Sequence, residues 1–248
     1  MAKTVVVGAS SGLGRCVGIG LAQRGDQVAM LARRRDRIEA AAKEAGAGAV
    51  GIECDVTNEA SCGSAIADAA DALGGIDNLV YTPGVGPMRR MVDTDAATWR
   101  RVLDSNVTGA ALVTAAAVPH LTASEGKAVY FSSIAGRITP PWPGLGAYAV
   151  SKAALERLVE AWRGEHPAIG FTCLVVGDCA GGEGDGRTEF NLDWDDRELA
   201  AEVHQIWAAR GYLARRLLPV EDLVRVVHTI LQTDSATSMP TVVATGAP

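Results

Sequence analysis

The chain lacks the features that mark a disulfide scaffold, a metal protein or a nucleic-acid binder. Its five cysteines, at positions 16, 54, 62, 173 and 179, form no CxxC pair and leave an odd count, which suits a reducing compartment better than a disulfide framework. Four histidines, His120, His166, His204 and His228, are scattered and no HExxH occurs, so metal-ligand spacing is missing and no metal is expected. Lysine is scarce: 19 of the 23 basic residues are Arg, and 29 acidic residues bring the formal charge to −6. With no basic surplus for a phosphate backbone, nucleic acid is not an expected partner. Unbroken apolar runs are short as well. Val5-Val6-Val7 is interrupted by Gly8, Gly12 and Gly14 before it could serve as a signal-peptide core. The uncharged stretch Ser105 to Ser124 has the length to span a bilayer. It contains Asn106, Thr108, Gly109, Thr114, Pro119, His120 and Thr122, so it reads as a buried core helix. No membrane partner is expected, and the location implied is cytoplasmic.

What remains is ample material for a globular core: 248 residues, 48% hydrophobic and 21% charged. No tandem repeat, Pro-rich linker or charge block divides the chain, so residues 1–248 are expected to form one domain. Short, β-branched-rich, non-alternating runs predict strands at Thr4 to Val7, Gln27 to Leu31, Ala49 to Cys54, Asn78 to Tyr81, Ala128 to Ser132, Phe171 to Val176 and Thr241 to Ala244. Ala-rich segments bearing Arg and Glu predict helices between them, at Leu13 to Arg24, Arg34 to Ala45, Glu59 to Leu73, Ala97 to Leu121 and Tyr148 to Arg163. Alternating βα units imply right-handed crossovers and a doubly wound, Rossmann-type parallel sheet with helices on both faces. Ligands then bind beyond the carboxyl ends of the strands. Two punctuation-rich stretches, Arg137 to Gly146 and Ala180 to Gly186, each follow a strand and read as working loops.

Three motifs sit at those strand exits. Val7-Gly8-Ala9-Ser10-Ser11-Gly12-Leu13-Gly14 runs from strand through a Gly-rich turn into a helix. Such a turn lets the backbone approach a pyrophosphate and aims unpaired N–H groups and a positive dipole end at it. The second strand exits into Ala32-Arg33-Arg34-Arg35, where an NAD-binding unit carries an acidic residue for the ribose hydroxyl and an Arg accommodates a 2′-phosphate. Arg33, Arg34 and Ser10 therefore point to NADP(H), with NAD(H) second. Finally, Tyr148 and Lys152 stand four residues apart on one helix face, downstream of Ser132-Ser133-Ile134-Ala135-Gly136.

These motifs together resemble the short-chain dehydrogenase/reductase family, in its single-domain branch of about this length. The matching features are Gly8-x3-Gly12-x-Gly14, Asp55-Val56-Thr57, Asn106-Val107-x-Gly109, Ser132-Ser133-x2-Gly136 and Tyr148-x3-Lys152. The resemblance implies an oxidoreductase that moves a hydride between a nicotinamide cofactor and a small carbonyl or alcohol substrate. It casts Tyr148 as general acid/base, with Lys152 and the nicotinamide charge expected to lower its pKa. Ser133 would hold the substrate oxygen, with Ser132 as fallback; Lys152 would also anchor the nicotinamide ribose, and Asn106 a water beside it. Cofactor contacts are expected from Gly8, Ser10, Ser11, Gly12, Leu13, Gly14, Arg33, Arg34, Asp55, Val56, Gly84, Tyr148, Lys152 and Gly177. Residues 180–218 would cover the substrate, and a homo-oligomer, tetramer or dimer, is implied.

The chain departs from the family pattern in three places. Tyr81-Thr82-Pro83-Gly84 stands where an Asn-Ala-Gly turn is usual, so only Gly84 is carried over; Val176-Gly177-Asp178 replaces Pro-Gly; and two additional residues lie between Ser133 and Tyr148, within Ile138 to Gly146. Two other functions fit parts of the pattern. A dinucleotide-binding redox sensor or structural subunit would have no need of the Ser/Tyr/Lys trio, and a nucleotide-sugar epimerase would carry a longer substrate domain.

Overall fold

The computed structural model describes residues 1–182, 187–234 and 239–246. Seven strands, β1 (Lys3–Val7), β2 (Gln27–Ala32), β3 (Ala49–Glu53), β4 (Asn78–Tyr81), β5 (Lys127–Ser133), β6 (Gly170–Val176) and β7 (Thr241–Ala244), form one sheet in the order β3-β2-β1-β4-β5-β6-β7. Every pairing is parallel. All seven lie where the apolar runs predict them, because strands covered on both faces need no polar alternation.

The pleat divides the core into two layers. Val5, Val7, Ala29, Leu31, Leu79 and Tyr81 face α3 (Glu59–Leu73), α5 (Gly109–Ala123) and α7 (Gly146–Glu165), burying Ile66, Val113, Leu155 and Val159. Val6, Val28, Met30, Val80, Val129 and Leu174 face the opposite way, onto α1 (Gly12–Ala22), α2 (Arg35–Ala45) and α9 (Val220–Gln232), burying Val17, Leu21, Ile38, Leu223 and Val227. Each such side chain contributes roughly 1.5–3 kcal/mol through its burial. A third apolar cluster, Met88, Trp142, Leu145, Leu199, Val203 and Trp207, lies apart from both layers and joins α8 (Arg197–Ala209) to the loops before α7.

The helix predicted from Ala97 to Leu121 is in fact three pieces. A helix α4 (Ala96–Leu103) passes through a π-helical turn, Asp104–Thr108, into α5. That turn widens the helix by one residue locally, a feature that clusters at functional sites, and here it carries the buried Asn106. By length and composition the run Ala96–Ala123 could cross a membrane; its Val113, Ala117 and Leu121 are buried against the sheet and α3. A short helix α6 (Ile134–Arg137) opens the first expected loop. Of the second expected loop, residues 183–186 lie outside the described residues.

Candidate active site

A cleft of about 1170 Å³ runs along the carboxyl ends of the strands. Its floor at β1 is the Gly-rich turn, tied to β2 by the Gly8 and Ala9 amides, which both donate to Leu31 O at 2.8 and 3.1 Å. Gly8 adopts φ +82°, open only to glycine at low cost. The packing is tighter still at Gly14, where a Cβ would stand 2.3 Å from Thr82 Oγ1 and 2.4 Å from Gly8 O. This is a cradle that only a bare backbone fits, with the start of α1 pressed onto it. Thr82, left out of the family carry-over, is central to it: its hydroxyl donates to Val7 O at 2.6 Å, locking β4's exit to that of β1. The available signal was topological, since any order placing β4 beside β1 brings residue 82 against the turn. Ser10 is buried, while Ser11 and Leu13 are half-buried on the cleft side.

At the second strand's exit Arg33 is exposed, whereas Arg34 is half-buried and donates to Ser10 Oγ and Ser11 Oγ at 3.0 and 3.1 Å. The run that resembles a solvated helix start in sequence thus folds back onto the Gly-rich turn. Glu189 answers it from the far side of the cleft, accepting from Arg34 at 2.9 Å and from Arg37. The Arg34 hydrogen bond, against the opposing effect of burial, holds the Glu189 carboxyl at about 2. Nothing in the local sequence marks Glu189; only the fold brings it there. Asp55 and Val56 line the cleft beyond β3. Burial raises the Asp55 carboxyl, but two hydrogen bonds from Thr57 and the Arg33 charge bring it below its ordinary value.

The opposite end gathers the candidate chemistry. Ser133 closes β5, accepts from Ala135 N at 3.3 Å and lies close enough to the Tyr148 phenol to lower its pKa. Ser132 is turned away, donating to the buried Glu156 carboxylate at 2.6 Å. Of the two serines, Ser133 therefore faces the phenol. Lys152, one turn after Tyr148 on α7, is buried with Nζ 5.7 Å from the Tyr148 ring centroid. It donates to Phe131 O at 2.7 Å and Pro83 O at 3.4 Å. A Cβ on Gly84 would come within 3.3 Å of that ammonium.

The expected lowering of the phenol pKa is not present in the protein alone. Burial pushes Tyr148 up to about 12, with the Ser133 hydrogen bond only partly opposing it. The same burial depresses Lys152 to about 8. A dry pocket disfavours both charges, and the lysine spends its donors on carbonyls rather than on the phenol. Asn106 sits one layer behind: its Oδ1 accepts from Val85 N at 2.8 Å, and its Nδ2 donates to Val85 O at 2.9 Å and Ser151 Oγ at 2.8 Å. Ser151 in turn donates to Tyr148 O at 2.7 Å. The π-turn thus pins the loop after β4 to the helix that carries Tyr148 and Lys152.

The departures find physical reasons in this geometry. The longer loop before α7 carries Trp142, whose ring stacks on Tyr212 at 5.5 Å and lies 5.1 Å from that of Trp207. Gly177 donates to Ala244 O at 2.9 Å, and a Cβ there would meet Thr245 Cγ2 at 2.9 Å. Phe190 and Trp194 close the cleft's other wall, with the Phe190 ring edge-on to Tyr148 at 4.8 Å. All the nominated site residues except Asn106 border this cleft.

A parallel sheet of this order, a glycine cradle at its first turn and a Ser/Tyr/Lys group at the far end of one cleft define a Rossmann-type dinucleotide-binding oxidoreductase architecture. The family profile described as short chain dehydrogenase matches residues 2–181, and the chain belongs to the short-chain dehydrogenase/reductase family. Rabbit (Oryctolagus cuniculus) dehydrogenase/reductase SDR family member 4 is 32% identical over 254 residues, covering 98% of this chain and 92% of that protein. Against three other curated relatives the chain spans only 14%, 57% and 58% of their length. The fold matches an alcohol dehydrogenase from the archaeon Thermococcus sibiricus complexed with 5-hydroxy-NADP, at TM-score 0.80, 20% identity and 99% and 97% coverage of the two chains. It matches equally a 3-ketoacyl-(acyl-carrier-protein) reductase from Brucella melitensis complexed with NADH, at TM-score 0.81, 22% identity and 98% and 96% coverage.

Proposed function

We propose that this chain is an NADP(H)-dependent oxidoreductase of small carbonyl or alcohol substrates, with Tyr148 as the general acid/base. The observation that carries this reading is the grouping of Ser133, Tyr148 and Lys152 at one end of the cleft whose other end holds the Gly-rich cradle and Arg34. The bare backbone at Gly8 and Gly14 and the guanidinium at Arg34 fit a pyrophosphate and a 2′-phosphate. Gly8, Ser10, Ser11, Gly12, Leu13 and Gly14 would hold the pyrophosphate, Arg33 and Arg34 the 2′-phosphate, and Asp55 and Val56 the adenine. Gly84, Gly177 and Lys152 would hold the nicotinamide end. A bound nicotinamide supplies or accepts the hydride; the residues of the chain manage the proton and the oxygen.

In the reducing direction, Ser133 donates a hydrogen bond to the substrate carbonyl oxygen while the Tyr148 phenol gives that oxygen its proton. A phenol held near 12 is fully protonated at neutral pH, so the donor is loaded. Lys152, at about 8, is still largely an ammonium at that pH, and its charge stabilises the phenolate left behind. Asn106 and Ser151 keep α7 at the distance this transfer requires. Of the expected cover, 180–218, the described residues 187–218 act as the substrate cover of the same domain. Its aromatic wall, Phe190, Trp194 and Trp207, suits an apolar substrate.

The test is Tyr148→Phe. It retains the ring, including its contact with Phe190, and removes only the proton donor. NADPH-dependent reduction across a carbonyl panel should fall about 10²–10⁴-fold with cofactor affinity unchanged. A variant that keeps its turnover refutes the role of the phenol. If the wild type binds NADPH but reduces nothing in a broad panel, the non-catalytic binder is the better reading.

A further inference from the structure

The carboxylate of Glu189 sits at the edge of the cleft against two arginines and a serine. Its Oε1 accepts from Arg34 Nη1 at 2.9 Å and from Arg37 Nη1; its Oε2 accepts from Ser11 Oγ at 3.2 Å and lies 2.7 Å from Arg34 Nη2 as an ion pair. Two oxygens thus receive three hydrogen bonds, two of them from guanidinium groups, and a second Arg34 nitrogen stands in ion-pair contact. Arg34 is oriented for this by its further bonds to the hydroxyls of Ser10 and Ser11. The site suits an anion, and a residue of the chain itself fills it.

The flanking residues show how Glu189 is delivered. Thr188 lies on the Gly-rich turn, its Cα 3.4 Å from where a Cβ on Gly12 would stand. Phe190 on the other side packs on Tyr148 at 4.8 Å and fills the space beside Gly86. Three successive residues therefore reach three successive parts of the cleft, and the charged one falls on the arginines.

We propose that Glu189 is a selectivity residue that acts as an internal competitor for the 2′-phosphate, so that a nucleotide bearing that phosphate must displace the Glu189 carboxylate from Arg34 and Arg37 before it can bind. The proposal rests on the NADP(H) reading of the same site. Arg34 Nη1 and Arg37 Nη1 both donate to Glu189, and a phosphate that takes those donors releases the carboxylate, so its binding here is an exchange. The apparent affinity is lowered by the fraction of molecules in which the carboxylate holds the site. NADH brings a neutral 2′-hydroxyl to the same place and gains nothing from expelling Glu189. The carboxylate therefore narrows the preference for NADPH that the arginines alone would give. Because its pKa lies near 2, no change of pH in the working range relieves it.

The experiment is a binding titration, with no turnover involved. Dissociation constants for NADPH, NADH and 2′,5′-ADP are measured by calorimetry for wild type, Glu189→Gln, Arg34→Ala and the double variant. Glu189→Gln keeps the side-chain shape and removes the charge; Glu189→Ala, checked by melting temperature, serves if the Gln variant folds poorly. The expected result is that Glu189→Gln tightens NADPH and 2′,5′-ADP by about tenfold and changes NADH less than twofold. In the Arg34→Ala background the same change should have no effect on NADPH. The proposal is overturned if Glu189→Gln leaves NADPH within twofold of wild type, or if it tightens NADH as much as NADPH, which would mean a loosened segment rather than a vacated anion site. Failure of the NADP(H) reading is seen elsewhere in the same data: wild type would bind NADH as tightly as NADPH and Arg34→Ala would leave that ratio unchanged.

Discussion

Substituting alanine at two helical glycines should change stability in opposite directions. In an isolated helix Gly→Ala stabilises by about 0.8–1.0 kcal/mol, since Gly loses more backbone freedom on folding. Gly63 in α3 is exposed, and a Cβ there meets nothing within 4 Å, so Gly63→Ala should realise most of that gain. At Gly14 the added Cβ would stand 2.3 Å from Thr82 Oγ1, 2.4 Å from Gly8 O and 2.9 Å from Gly8 C. Two of those three atoms are backbone, in a turn tied to β2, so the strain cannot be relieved by rotating a side chain. Overpacking of this kind costs about 1–3 kcal/mol or more, which exceeds the helical gain. For a chain of this size each kcal/mol moves the melting temperature by about 2–4 °C. Gly63→Ala should therefore melt about 2–4 °C higher than wild type, Gly14→Ala several degrees lower. The double variant Gly14→Ala/Thr82→Ala should recover only part of the loss, because Gly8 O still obstructs. The assay is thermal unfolding by circular dichroism, with nucleotide affinity measured beside it. If Gly14→Ala melts as high as Gly63→Ala, the turn has room to yield and the steric account of the cradle is wrong.

Other consequences can be checked independently. Folded Lys152, at about 8, gives up its proton before a lysine in the unfolded chain at 10.5, so between those values the unfolded state binds more protons and stability rises with pH. Relative to Lys152→Gln, wild type should gain about 3 kcal/mol from pH 8 to pH 10.5, read from urea midpoints; a constant difference would mean the ammonium is not desolvated. Arg34→Ala should weaken NADPH by about tenfold or more and NADH little, with Arg33→Ala the smaller effect because Arg33 is exposed; equal losses for both nucleotides would remove the 2′-phosphate assignment. Light scattering at micromolar concentration should return a dimer or tetramer rather than the 25.7 kDa monomer, since α5 leaves Leu112, Ala116 and Val118 only partly covered; the monomer mass alone would sink this.

What could be read from the sequence divides along physical lines. Strands such as Asn78–Tyr81 were legible because burial on both faces leaves an unalternated apolar run, and Tyr148 and Lys152 were legible because helical spacing is local. The π-turn was not: nothing in Asp104–Thr108 resists ordinary helix, and the wider turn is selected by the bonds that Asn106 makes to Val85 and Ser151. Thr82 and Glu189 were missed for a related reason, since each acts on residues far away in the chain, Val7 for one and Arg34 for the other. The expectation for the phenol pairs Lys152 with the charge of a bound nicotinamide, and the protein alone supplies only part of that setting. Sequence places a cation near Tyr148, but only the structure reveals how deeply the phenol is buried, and that burial raises it in the protein alone.

The parallel sheet has a consequence for how the protein comes into being. Its ladders join Thr4 to Asn78, Asn78 to Lys127 and Cys173 to Thr241, and none of them can begin from a tight hairpin. Each requires a long crossover to be closed before any hydrogen bond is formed, which makes such sheets slow to assemble. The cleft inherits this order. Its cradle needs β4 in place so that Thr82 can lock onto β1, and its far end needs β7, whose Ala244 carbonyl holds the Gly177 amide. A nascent chain therefore carries Ser133, Tyr148 and Lys152 long before it has a cleft, and nucleotide affinity measured during refolding should appear with the last strand rather than in steps.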